Sequence, residues 1–309
     1  MPQPLISVVV PAYNAAAHID DCLRSIIAQR GPFRLEINCV DDGSTDDTAA
    51  RAAAIPGVQV LQQPNAGPSA ARNRGIAAAA GELIAFLDSD DLWPEERLAT
   101  QLDILRAQPD LGLVCGDCMI FDGETTILGS FFKGAGLDRE FWGDAVRVID
   151  PFSKLFRLNY VATGSVLVRR GCLVRVGGFD AALRLVEDLD LWLRLAQVCA
   201  FGYTARLCQR KRRRADSLSA DTASMTLAYV GLLERQQREN GPALRQHGIR
   251  VGPRIALEYC LLGDAAARAG RTASARKWYL RALHRSPSLR PAYYWLRSLV
   301  APRSTARPR

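Results

Sequence analysis

Nowhere in the 309 residues does an apolar run reach the roughly 18 residues that a membrane-spanning helix needs. The N-terminus, MPQPLISVVVPAYN, has no basic segment ahead of a long apolar core. It reads as a strand start rather than an export signal, and the expectation is a cytoplasmic protein. A second CxxC is also missing. CGDC at Cys115 to Cys118 stands alone among eight cysteines, which argues against a thiolate zinc site. Cys39, Cys115 and Cys172 lie inside apolar runs, where a free thiol packs as a small hydrophobe. Acids become scarce after residue 205. There 22 Lys and Arg meet 6 Asp and Glu, a net of +16, while residues 1–205 carry 18 and 26, a net of −8. Such asymmetry assigns the two parts different work. The length and the 48% hydrophobic content suit one large α/β domain with an appendage, or two domains.

What is present is an alternation of two hydrophobic periods. LISVVVPAYN is a β-branched run with Pro11 as its stop, and residues 15–29 have helical spacing. LEINCVDDGS is a second strand, followed by a helix with Ser44 as N-cap. VQVLQQ is a third strand, and GPSAARNRGIAAAAG is a helix closed by Gly81. ELIAFL is a fourth strand, and a helix opens near Pro94. Residues 123–160, with Phe131, Phe132, Phe141 and Trp142, read as a site border or lid. GSVLVRR is a further strand, GGFD a turn, and EDLDLWLRLA a helix with acids at its start. Strands separated by helices require crossover connections. The fold class is therefore α/β, a Rossmann-like, mostly parallel sheet with helices on both faces.

In such sheets ligands bind beyond the carboxyl ends of the strands. The polar clusters PAYN, DDGS and DSDD all fall there. Asp88 and Asp90 lie two apart, on one side if the strand continues, and a hard divalent cation takes such oxygens together with a substrate's phosphates. Tyr13 offers a flat face to a nucleobase, and Asp42 an acceptor for a base N–H. Arg72 and Arg74 lie near a helix start that suits phosphate. Each cluster alone also reads as a solvated turn or cap.

Seven segments in order carry a family likeness: ISVVVPAYNA, VDDGSTDDT, QPNAGPSAARNRGI, GELIAFLDSDDLW, TGSVLVRR, VGGFD and EDLDLWLRLA. Over roughly residues 5–220 the chain resembles the family 2 glycosyltransferases. That resemblance implies the GT-A fold and a nucleotide-diphosphate sugar donor, most often a UDP-sugar. It implies that Pro11, Tyr13 and Asp42 line the nucleoside pocket, with Arg72 beside the nucleotide. Asp88 and Asp90 would be the DxD pair, Asp90 the direct ligand of Mn2+ or Mg2+ and Asp88 nearer the ribose. Asp188 would be the catalytic base, supported by Glu187 and Asp190. One departure concerns the stretch after the last strand. Related sequences carry a histidine there, whereas this chain reads QRKRRRADSLS, and Arg213 or Arg214 is expected at the diphosphate instead.

The division expected is a catalytic domain over 1–220 and a basic helical extension over 221–309. Within the latter, Leu262, Gly263, Gly270, Ala275, Tyr279, Ala282 and Pro287 fall at tetratricopeptide-repeat positions, and a second copy begins near Pro291. Leu257, Leu261, Tyr279 and Leu283 are expected to face a core. The basic faces suit an anionic membrane better than nucleic acid. The leading expectation is an inverting, metal-dependent glycosyltransferase acting on a glycan or lipid-linked acceptor in cell-surface polysaccharide or glycolipid synthesis. The alternatives are a sugar nucleotidyltransferase and a non-catalytic sugar- or protein-binding module.

Overall fold

A computed structural model describes residues 3–214 and 221–287, with residues 292, 295 and 296. The chain divides into two compact units, Met1–Ser217 and Leu218–Arg309. The first unit carries strands β1 (Leu5–Ala12), β2 (Arg34–Asp41), β3 (Val58–Gln62), β4 (Leu83–Phe86), β5 (Leu111–Asp122), β6 (Thr125–Leu128), β7 (Leu167–Arg169) and β8 (Ala200–Arg212). Its helices are α1 (Ile19–Ile27), α2 (Thr48–Ala53), α3 (Pro68–Ala78), α4 (Arg97–Ala107), α5 (Phe131–Gly134), α6 (Arg139–Trp142), α7 (Pro151–Arg157), α8 (Arg170–Val176) and α9 (Glu187–Leu195).

The strands form one sheet in the order β3-β2-β1-β4-β7-β5-β6, with β8 also paired to β5. The β3-β2-β1-β4 half is parallel throughout. β7 runs antiparallel to both β4 and β5, while β8 is parallel to β5. The first half is thus the expected crossover sheet, and the second half is mixed. β1 is buried on both faces because α1 and α4 pack on one side of it and α3 on the other, which explains its unbroken apolar run. Val8 and Val10 join a core with Ile19, Leu23 and Ile26 of α1 and Leu98 and Leu102 of α4. Val9 points the other way, toward α3. A Cβ on Gly75 would stand 2.3 Å from Val9 Cγ1, so glycine is what lets α3 lie against the strand.

Several local expectations give way to tertiary structure. Pro11 does not stop β1, which continues to Ala12. Pairing with β4 ends at Val9, so the proline's missing N–H breaks no ladder on that side. α2 begins at Thr48 rather than behind Ser44, whose hydroxyl is used elsewhere. α3 ends at Ala78; Gly81 instead allows a close pass, since a Cβ there would lie 2.6 Å from Leu5 O. α4 begins at Arg97, and the Pro94 carbonyl accepts from Gln29 Nε2 at 2.7 Å. Within residues 123–160 the aromatic side chains pack into a layer, while much of the rest of the segment is exposed. Trp142 is buried, stacks on Tyr203 at 4.1 Å and meets Phe132 at 4.9 Å and Tyr160 at 5.3 Å.

The second unit contains α10 (Thr222–Glu239), α11 (Gly241–Gln246), α12 (Val251–Arg268) and α13 (Thr272–Arg285). Asp221 caps α10 by accepting from Ala223 N at 3.0 Å. α12 and α13 make the repeat-like hairpin. A Cβ on Gly263 would lie 2.4 Å from the Tyr279 ring, and Tyr279 donates its hydroxyl to Asp264 Oδ1 at 2.7 Å. The buried stripe of α12 runs through Ile255, Tyr259, Leu262 and Ala266, so Leu261 falls outside it and is exposed. Pro291, where a second copy is expected, lies outside the described residues.

Candidate active site

The loops after β1 and β2 are stitched together at the carboxyl edge of the sheet. Asn14 adopts a left-handed φ of 48°, which asparagine tolerates through local hydrogen bonding. Its N–H donates to Ser44 Oγ at 3.0 Å, and its Oδ1 accepts from Thr45 N at 2.9 Å. Ala15 N donates to Thr48 Oγ1 at 2.7 Å, and Ala16 N to Asp46 Oδ2 at 3.1 Å. This stitching leaves Tyr13 51% exposed beside buried Pro11. Asp42 is buried. Its Oδ1 accepts from Gln63 Nε2 at 2.7 Å and Ala66 N at 2.9 Å, and its Oδ2 from Gly67 N at 2.8 Å. It therefore shapes the loop leading into α3, with acceptor capacity left on Oδ2.

β4 ends at Phe86, and Asp91 N donates to Asp88 O at 3.0 Å. The aspartates thus occupy a turn rather than one face of a strand. Asp88 Oδ1 accepts from Arg72 NH2 at 2.7 Å. Asp91 is 1% exposed and accepts from Gln209 Nε2 and Arg212 N, both at 2.7 Å. Asp90 faces Arg214 NH1 at 3.6 Å. Arg213 is separated from this turn. It pairs with Asp122 at 3.2 Å, with both side chains more than half exposed.

The second acidic cluster opens α9, which starts after Val186, a β-branched residue held at φ 56°. Such a left-handed valine is a strained position directly before Glu187 and Asp188. Asp188 Oδ1 accepts from Leu189 N at 2.6 Å, and its Oδ2 from Asn159 Nδ2 at 3.1 Å. Trp192 Nε1 donates to Val161 O at 3.1 Å and so fixes the segment that presents Asn159. Asp190 is 1% exposed and pairs with Arg194 at 2.8 Å; Arg194 in turn donates to Val176 O at 2.7 Å. Arg72 joins the two acidic clusters. Besides Asp88 it donates through NH1 to Glu187 Oε1 at 3.0 Å, and its guanidinium lies 5.2 Å from the Phe179 ring. Arg74, two residues on, is exposed and joins none of this.

The model described as glycosyl transferase family 2 matches residues 7–157, just under half of the chain. The matched residues 7–157 belong to glycosyl transferase family 2. The chain is 44% identical over 205 residues to the succinoglycan biosynthesis protein ExoO of Rhizobium meliloti, covering 64% of this chain and 57% of that protein. It is 37% identical over 108 residues to the putative teichuronic acid biosynthesis glycosyltransferase TuaG of Bacillus subtilis, covering 33% of this chain and 42% of that protein. The match thus spans less than two thirds of either relative. Among solved structures, S. aureus TarS 1-349 in complex with UDP matches with a TM-score of 0.57 at 16% identity, covering 95% of this chain and 88% of that one. TarS 1-349 has also been solved in complex with UDP-GlcNAc. At such identity the likeness shows the shared GT-A fold.

The carboxylates of this site differ in their protonation. Burial pushes Asp88 up, but the charge and hydrogen bond of Arg72 outweigh it and hold the carboxyl below the usual range. Burial and the Asp88 charge raise Asp90. Burial, Asp88 and Asp90 push Asp91 up to about 8. Burial raises Asp188, and burial with the Asp188 charge raises Glu187. Burial would lower the Lys211 ammonium, yet Asp88, Asp91 and Asp188 around it raise it instead. Lys211, Asn159 and Phe179 are the members that pattern reading missed. Lys211 had a signal in the basic run after the last strand and Phe179 in the VGGFD segment, whereas Asn159 had none.

Among the described residues no group of three or more His, Cys, Asp or Glu converges on a metal position. The donor chemistry still fits a hard divalent cation. Asp90 and the second oxygen of Asp88 are carboxylate ligands of the kind that hold such an ion together with a substrate diphosphate.

Proposed function

We propose that the first unit is an inverting, metal-dependent hexosyltransferase whose donor is a UDP-sugar and whose acceptor is a hydroxyl of a glycan or lipid-linked saccharide. The observation that carries this reading is the Arg72 bridge, which ties the acidic turn through Asp88 to Glu187, next to Asp188. A carboxylate base and a cation-binding turn are thereby held in one rigid frame. The UDP preference is supported by the TarS complexes, and the acceptor class by relatives named for teichuronic acid and succinoglycan biosynthesis.

In this reading Asp188 accepts the proton of the acceptor hydroxyl as it attacks, and Asn159 orients the carboxylate. The raised Asp188 pKa brings the base nearer to working pH. Asp90, with Asp88 beside it, would hold the metal, which when bound neutralises charge growing on the diphosphate. Tyr13 stacks on the base beside Pro11, Asp42 accepts from it, and Arg214 meets the diphosphate. Arg213, paired with Asp122, stands further off. One base and one displacement give inversion at the anomeric carbon. Residues 221–309 would act as a basic helical extension that meets the anionic inner face of the membrane, with the protein otherwise cytoplasmic. Among the described residues no helix is long and apolar enough to cross a membrane. Reversing charge at Arg268, Arg271, Arg276 and Arg285 should abolish salt-sensitive sedimentation with anionic vesicles; unchanged sedimentation would make the extension structural.

The deciding experiment is a thermal-stability screen with UDP-, dTDP- and GDP-sugars, with and without manganese. Stabilisation by UDP-sugars with manganese is expected. Release of pyrophosphate from sugar phosphate and nucleoside triphosphate would instead identify a nucleotidyltransferase.

A further inference from the structure

The end of β8 is fastened to the acidic turn more firmly than any motif suggests. Leu92 and Arg210 exchange both backbone hydrogen bonds, at 3.0 and 2.9 Å. Asp91 takes Gln209 Nε2 and Arg212 N, and Arg212 Nε donates to the Asp90 carbonyl at 3.0 Å. These contacts engage Asp91 fully, while Arg72 engages Asp88. The Asp90 carboxylate meets Arg214 in a different way, by one long contact of 3.6 Å with side chains 31% and 26% exposed. That one contact is long and partly exposed, so it holds the carboxylate and guanidinium groups together only weakly, and Arg214 makes a further interaction besides. Asp90 is also the carboxylate that the proposed function gives to the metal, and a guanidinium held beside it repels a divalent cation.

Resting on that reading, we propose that Arg214 is a built-in counter-ion for Asp90, occupying its carboxylate in the free enzyme and leaving it for the donor diphosphate when metal binds. Arginine forks suit phosphate oxygens better than a single long carboxylate contact does. Moving from one to the other frees Asp90 at the moment a diphosphate arrives to complete the metal's oxygen shell. Metal and nucleotide then each raise the other's affinity by the same factor. Free metal is bound poorly, because Arg214 competes for its ligand.

The test is Mn2+ binding by electron paramagnetic resonance, with and without UDP, for the wild type and for Arg214→Gln, Arg214→Lys and Asp90→Asn. Arg214→Gln should bind Mn2+ alone several-fold more tightly than the wild type, and UDP should improve its Mn2+ affinity by a smaller factor. Arg214→Lys should stay near the wild type. If Asp90→Asn loses Mn2+ but Arg214→Gln binds it no more tightly than the wild type, the counter-ion proposal falls and the metal assignment stands. If Asp90→Asn keeps wild-type Mn2+ affinity, both fall together.

Discussion

The two acidic clusters that Arg72 bridges have the same internal division. After β4, Asp91 is spent on structure, Asp88 is tied to Arg72, and Asp90 remains partly exposed. At the start of α9, Asp190 is spent on structure, Glu187 is tied to Arg72, and Asp188 remains partly accessible with one side-chain donor, Asn159. Asp91 and Asp190 are each 1% exposed. The comparison shows that adjacency in sequence says little about role. In both clusters the residue to which the proposed function gives a chemical role is distinguished by what its neighbours have already been given to do.

Breaking the acting member should give the largest effect. Asp188→Asn is expected to lower sugar transfer by about 10²–10⁴-fold while leaving stability nearly unchanged, measured as UDP release together with the urea midpoint. Breaking the bridge comes next. Arg72→Met leaves two carboxylates without their cation and should cost about 3 kcal/mol in urea unfolding, as well as activity. A cost under about 1 kcal/mol would mean the two clusters are held together by something else. Asp190→Asn weakens the Arg194 pair and should cost about 2 kcal/mol, with UDP binding retained. Loss of UDP binding there would erase the distinction between structural and acting members.

The smallest effect sharpens the comparison. In its proposed role Asp188 must be ionised to accept a proton, and burial already raises its pKa, so transfer should fall as pH drops through that raised value. Arg72, Glu187 and Lys211 surround it with charge, and Asn159 donates to its ionised form. Removing that donor raises the pKa further. Asn159→Ala should therefore move the acid limb of kcat to higher pH with little change in KM. An unmoved limb would make Asn159 merely a packing residue.

Most of this frame was legible because it rests on short-range chemistry. Apolar runs ending in the polar clusters PAYN, DDGS and DSDD announced β1, β2 and β4, and acids ahead of an amphipathic run announced α9. What was not legible depends on distance in the chain. Asn159 reaches Asp188 from an aromatic layer whose irregular sequence gives no period. The pairing of Asp91 with Gln209 and Arg212 spans most of the first unit. Ser44 reads locally as a cap, but tertiary contact makes it an acceptor for the Asn14 N–H. The antiparallel insertion of β7 between β4 and β5 is likewise invisible locally, because a three-residue strand carries no sign of its direction.

Calorimetric titration of UDP in the presence and absence of Mn2+, run on Asp90→Asn and Asp188→Asn, addresses the division of labour most directly. Asp188→Asn should keep wild-type UDP affinity and its dependence on Mn2+. Asp90→Asn should bind UDP equally with and without Mn2+, at the weaker of the two wild-type affinities. Equal loss of metal-dependent binding in both variants, or none in either, would contradict the assignment of cation binding to one cluster and proton acceptance to the other.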